Sequence, residues 1–236
     1  DVVFSFTSLK TKGQPFYRYY YANVAKAEKL NSHRVKFSFS GPPNRELPQI
    51  IGQLPVLSKA WWSKNDFSKT TLKPPLGSGP YKVKSFEPGR FIIYERVKNY
   101  WGQNIPLRVG QHNFDVVRYD YYRDQAVALE AFKAGLYDFR FEGSSKDWAT
   151  GYKFPARKRG DVKTALLKHS RPVGMQAFAF NTRRSQFKSK LVRQALSYAF
   201  DFEWSNRQLF YGQYSRTSSY FENSDLAATA LPSLEE

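Results

Sequence analysis

Between Gly41 and Gly79, prolines at positions 42, 43, 48, 55, 74 and 75 interrupt every apolar pattern. A proline fixes φ and removes a backbone N–H, so it is tolerated in the first turn of a helix but not in a helix interior or a sheet ladder. This stretch is therefore predicted to be short helices joined by turns, with one helix over Arg45 to Gly52. On the N-terminal side the periodicity is regular. Val2, Phe6 and Leu9 share one helical face, so the chain is expected to open within a helix whose start is missing. Val35, Phe37 and Phe39 alternate as in a half-buried strand.

Beyond the proline-rich stretch, Tyr81 to Phe86 and Phe91 to Arg96 read as two strands around Glu87-Pro88-Gly89, where Pro presets φ and Gly permits φ > 0. Val116 to Tyr122 reads as a third strand. A helix follows with Val127, Ala128, Ala131 and Phe132 on its apolar face and Gly135 closing it. Tyr137 to Phe141 and Met175 to Phe180 read as further strands. Leu191 to Phe200 reads as an amphipathic helix carrying Leu191, Ala195 and Tyr198 on one side, with another helix after Asp201. Strands alternating with helices indicate an α/β protein.

Composition removes several function classes. There is no run of about 18 apolar residues, and mean hydropathy is −0.61, which argues against a membrane-spanning helix. The absence of cysteine excludes disulfides, thiolate metal sites and cysteine nucleophiles. His33, His112 and His169 are far apart and lack metal-ligand spacing. No GxSxG elbow occurs, and Gly77-Ser78-Gly79-Pro80 lacks the rest of a nucleotide-binding loop. The paired acids Glu235 and Glu236 at the chain end read as solvated. Asp1 to Leu9 carries no leader signal and no initiator Met, so this end is expected to lie inside a longer protein.

Two features point to binding. Net charge is +17, and Lys153 to Arg193 holds twelve Lys and Arg against one acid, Asp161. A solvated basic face is the simpler reading of that excess. The 20 Phe, 16 Tyr and 5 Trp include a Tyr17, Tyr19, Tyr20, Tyr21 cluster and a Tyr119, Tyr121, Tyr122 cluster, residue types that can line a groove for peptides or sugars. Aromatic and basic together also suit a non-specific single-stranded nucleic-acid-binding module. No RNP-like segment, helix-turn-helix or metal finger accompanies them, and the aromatics lie mostly outside the basic region.

Several blocks, in order, resemble the family-5 extracellular solute-binding proteins of oligopeptide and dipeptide type. They are Asp1 to Phe6 (DVVFSF), Leu76 to Val83 (LGSGPYKV), Tyr94-Glu95-Arg96 through Asn99-Tyr100-Trp101-Gly102, and Val127 to Asp138 (VALEAFKAGLYD). Phe180-Asn181-Thr182, Phe187, Val192 to Leu196 and Ala199-Phe200-Asp201 complete the series. Asn113-Phe114-Asp115, Trp148 to Tyr152, Gly174-Met175-Gln176, Asp201 to Trp204 and Ser219 to Ser224 look like the YejA-type branch, associated with oligopeptides and the peptide antibiotic microcin C.

The resemblance implies a two-lobe periplasmic binding protein-like fold (type II, cluster C), here a fragment with most of lobe one and the start of lobe two. Residues 1–75 would be the smaller subdomain of lobe one, 76–170 its main part and 171–236 the start of lobe two, with a hinge near Arg171. It implies a monomeric periplasmic receptor of an ABC importer. Such a receptor takes a peptide ligand to permease subunits, without cofactor, metal, nucleic acid or catalysis. Location on that scaffold marks Glu142, Ser144, Ser145 and Trp148, after the Tyr137 to Phe141 strand, as ligand-binding candidates. Asn181, Arg183, Tyr220, Glu222 and Asn223, near the start of the second lobe, join them. Glu142 or Glu222 would meet a peptide's amine and Arg183 its carboxylate.

Overall fold

The computed structural model describes residues 1–231, so Glu235 and Glu236 lie outside the described residues. The chain divides into two compact units, Asp1–Tyr121 and Tyr122–Glu236. The division falls inside the 76–170 segment.

The first unit opens on α1 (Val2–Lys12), which buries Ser5, Phe6 and Leu9 as its period demands. Phe6 and Leu9 join Tyr21, Val24, Leu47, Ile51 and Leu54 in one apolar core, with Phe37 packed against it. α2 (Pro15–Tyr20) has its proline in the first turn, where the missing N–H costs nothing. β1 (Val24–Lys29) and β2 (Val35–Phe39) pair as an antiparallel hairpin. The proline-rich stretch does form short helices, α3 (Leu47–Gly52) and α4 (Lys59–Trp62), the second N-capped by Ser58. Ser5 fastens this stretch to α1: Leu57 N–H donates to Ser5 Oγ at 2.7 Å, and Lys59 N–H donates to Asp1 Oδ1 at 2.8 Å.

A second sheet orders β3 (Tyr81–Glu87), β4 (Phe91–Arg96) and β5 (Val116–Asp120) as an antiparallel meander. Gly89 turns the first hairpin at φ +76°, as its position predicts. The register places Val83 opposite Tyr94, Tyr94 opposite Val117 and Ile92 opposite Tyr119, so one face is apolar and tyrosine-rich. The other carries the Lys82–Glu95 and Arg118–Asp120 ion pairs and stacks Arg118 on Phe91.

The second unit carries helices and, among the described residues, no strand, and most of its backbone lies in turns and irregular segments. α5 (Gln125–Lys133) is N-capped by Asp124, whose Oδ1 accepts from Val127 N–H. It ends at Gly135, φ +74°, where Gly135 N–H donates to Phe132 O and Leu136 N–H to Ala131 O. α6 (Ser145–Thr150), α7 (Pro155–Arg159), α8 (Lys190–Tyr198) and α9 (Phe202–Leu209) follow. A small core joins Leu129, Tyr152 and Phe154. Among the described residues no helix is long and apolar enough to cross a membrane.

Two expectations fail here. Tyr137 to Phe141 and Met175 to Phe180 are extended or turn backbone rather than strands. A strand exists only where a neighbour takes up its N–H and C=O groups, and among the described residues neither segment has one. Phe178 stands 90% exposed. The amphipathic stripe of α8 likewise finds no partner, since none of its residues is buried.

Candidate ligand-binding site

The candidate residues fall into three groups, all in the second unit. The first is built on the segment between α5 and α6. Phe139 and Phe141 point outward while Arg140 and Glu142, between and beside them, bury their side chains to 6% and 5% exposure. Such burial demands full pairing. Glu142 Oε2 accepts from Arg140 Nε at 3.0 Å and from the Tyr152 hydroxyl at 2.9 Å, and its Oε1 accepts from Ser144 N–H at 2.9 Å. Arg140 also donates to the Tyr137 hydroxyl and to Gln125 Oε1, and Tyr137 donates in turn to Ala128 O of α5.

Burial by itself would raise the Glu142 carboxyl. The Ser144 N–H, the Tyr152 hydroxyl and Arg140 outweigh it and hold the group below the ordinary carboxylate range. Tyr152 moves the other way: burial first, then the bond it donates to the carboxylate, push its phenol up to about 12. Burial opposes the charge on Arg140, but Tyr137 and Glu142 prevail and strengthen it. With three of roughly four lone-pair sites taken, the carboxylate acts as an internal joint rather than a proton carrier.

The joint positions α6. Ser144 is its N-cap, with Oγ accepting from Asp147 N–H at 3.2 Å. Ser145 opens the helix, and its carbonyl accepts from Gln213 Nε2 at 2.8 Å. Trp148 lies on the same helix, half-buried, its ring 6.0 Å from that of Tyr152.

The second group is the turn from Ser218 to Ser224. Glu222 Oε2 accepts from the N–H groups of Ser218 and Ser219, which closes the turn on itself. Asn223, at φ +62°, donates from Nδ2 to His169 O and to Arg171 O, each at 2.8 Å, and Val173 N–H donates to Glu222 O. The turn is thus latched onto the segment around Arg171. Tyr220 projects from it, 85% exposed. Asn181 and Arg183 form the third group, a local turn in which Asn181 Oδ1 accepts from Arg183 N–H and Nε. No hydrogen bond joins the three groups among the described residues.

Reading the sequence missed Arg140, Tyr152 and His169, the partners that hold these groups. The available signal was the inverted pattern at 139–142, with aromatics flanking charged residues. In the first unit, strand alternation gathers Tyr81, Tyr94, Tyr119 and Tyr121 with Ile92 and Val117 around a groove of about 440 Å³. Among the described residues no group of three or more His, Asp or Glu could hold a metal ion.

Comparison with known proteins gives this arrangement its context. The family model "Bacterial extracellular solute-binding proteins, family 5 Middle" matches residues 1–235. A probable peptide-binding protein YejA from Agrobacterium fabrum is 46% identical across 100% of this chain and 40% of its own length. The peptidoglycan-binding protein YepA of the same bacterium is 41% identical, covering 97% of this chain and 38% of its own. The crystal structure of the ABC transporter substrate-binding protein CtaP from Listeria monocytogenes superposes with a TM-score of 0.68 at 22% identity, over 95% of this chain and 44% of that one. The chain therefore spans about two fifths of the length of the curated relatives it matches. The fold is that of the periplasmic binding proteins of family-5 type, and the nucleic-acid alternative has no support among these matches. Matched along essentially its whole length, the chain belongs to the bacterial extracellular solute-binding proteins of family 5.

Proposed function

We propose that this chain is part of the periplasmic receptor of an ABC importer. The receptor captures oligopeptides in a cleft between the two lobes of the full-length protein and delivers them to the permease, making and breaking no bond. One observation carries the reading: 46% identity along the whole chain to a probable peptide-binding protein. Residues 1–75 and 76–170 then belong to lobe one and 171–236 to lobe two. The receptor works as a monomer without a cofactor, and closure is a hinge motion selected by contacts to both lobes. The Asn223 latch on the segment around Arg171 suits a crossover that must bend in one place only.

Within the nine candidates the roles divide. Trp148, Arg183 and Tyr220 keep a free face and would touch the peptide. Glu142, Ser144, Ser145, Asn181, Glu222 and Asn223 would hold the loops that present them. Microcin C-like peptides fall within this ligand class. The identity to YepA favours a second reading, peptides derived from peptidoglycan.

The test is denaturing mass spectrometry of small molecules released from the purified full-length protein. Released oligopeptides support the first reading, and released muropeptides the second. Release of nothing, with no thermal stabilisation by a peptide library, overturns both. Trp148→Ala and Glu222→Gln should each weaken peptide binding by about tenfold. Unchanged affinity in both variants removes the site assignment.

A further inference from the structure

Away from the three groups above, the segment after Tyr152 folds into a second feature of the second unit. α7 (Pro155–Arg159) is closed by Gly160 at φ +88°, and Asp161 N–H returns to Ala156 O at 3.0 Å. Only a residue free to adopt the left-handed conformation reverses the chain this tightly. The reversal brings Lys163 back beside Lys153 and Lys158, and the three lysines line, with Arg157, a hollow of about 670 Å³ floored by Tyr152 and Thr164.

The charges in this hollow are uncompensated. Among the described residues, Lys153, Lys158 and Lys163 have neither an ion pair nor a side-chain hydrogen bond, and no carboxylate lines the hollow. Asp161, the single acid between Lys153 and Arg193, is taken by Arg159 at 2.8 Å. Arg157 is fixed in place: its Nη1 donates to Tyr152 O at 3.2 Å and its Nη2 to Thr164 Oγ1 at 3.1 Å. Two of its five N–H donors are spent, and the others remain for a ligand.

We infer that this hollow is an anion site for a phosphate-bearing ligand. A lone carboxylate is satisfied by one guanidinium fork. A fixed guanidinium sharing a hollow with three unpaired ammonium groups instead matches a group of higher charge with oxygens facing several directions. The site does not depend on the peptide reading, because it shares only Tyr152 with the Glu142 network, and Tyr152 contributes its backbone carbonyl here. A free phosphorylated solute and the phosphomonoester headgroup of phosphatidic acid offer the same chemistry.

The experiment titrates pyrophosphate into the full-length protein by calorimetry at constant ionic strength. Saturable binding is expected, weakened about tenfold or more by the triple variant Lys153→Gln, Lys158→Gln, Lys163→Gln. The charge-matched variant Lys98→Gln, Lys188→Gln, Lys190→Gln, whose lysines lie outside the hollow, should bind within about twofold of wild type. Equal losses in the two variants would reduce the effect to the general positive field and overturn the site, as would absence of saturable binding. Co-sedimentation with vesicles containing phosphatidic acid, reversed by pyrophosphate, identifies the headgroup as the source. Pyrophosphate binding without vesicle binding identifies a free solute.

Discussion

The two units solve the problem of staying folded by different means. Asp1–Tyr121 contains all five described strands and a core of seven buried hydrophobic residues into which Phe6, Tyr21 and Phe37 interlock their rings. Among the described residues, Tyr122–Glu236 gathers only Leu129, Tyr152 and Phe154 into a buried cluster, and beside it sets a buried, hydrogen-bonded ion pair. The first unit is held by apolar area, which is non-directional and tolerant of small shifts. The second relies on a directional network, in which each member is fixed by its partners and the loss of one strands the rest. Such a network fixes side-chain direction without thick packing.

The comparison can be broken most directly in the first core. Phe6→Ala should destabilise Asp1–Tyr121 by about 3–5 kcal/mol. Hydrogen exchange read by mass spectrometry should show the loss of protection confined to that unit. Equal loss across Tyr122–Glu236 would mean that the two are energetically one. Next in size, Glu142→Gln leaves Arg140 buried without its counter-charge and should cost about 3 kcal/mol in urea denaturation. The double change Arg140→Met, Glu142→Leu should cost less than the single one, since it removes both desolvated charges together. If the double variant is the weaker, the network contributes more than the burial penalty it offsets.

The same network sets the pH limits of the second unit. Glu142 is held below its ordinary 4.5, so its contribution is present above about pH 4.5 and is lost as pH falls through the lowered folded value. Tyr152 is raised from 10.0 to about 12, so its contribution is intact below pH 10 and is lost as pH rises from 10 towards 12. Tyr152→Phe should flatten the alkaline limb of a Tm-against-pH curve, and Glu142→Gln the acid limb. The smallest expected effect is Gly135→Ala, about 1 kcal/mol, because the substitution forces a side chain into φ +74° while leaving open space around it.

These differences also explain what could be read from the sequence. The hairpin around Gly89, the cap at Gly135 and the short helices among the prolines follow from local rules, and each stands where its residues predict. The family was legible through short blocks such as DVVFSF and VRQAL, which the full-length match bears out. Met175 to Phe180 misled because alternation or apolarity specifies only that a segment can pair, not that a partner exists. The Glu142 network was hidden for a related reason. Its members, Gln125, Tyr137, Arg140, Glu142, Ser144 and Tyr152, are spread over α5 and the segments before and after α6, and nothing local distinguishes a carboxylate that accepts three bonds from one that faces a ligand.

Ser5 adds a consequence in time. Its hydroxyl, fully buried, meets the backbone of Leu57, so the first helix is docked by a contact that closes a loop 52 residues apart in sequence. Closing such a loop costs entropy before it returns any contact, whereas the β1–β2 hairpin needs only its own short connection. During synthesis α1 therefore meets Tyr21 and Phe37 before the Leu57 backbone that receives Ser5 has been made. The Ser5–Leu57 contact thus seals a core whose aromatic members can already have met.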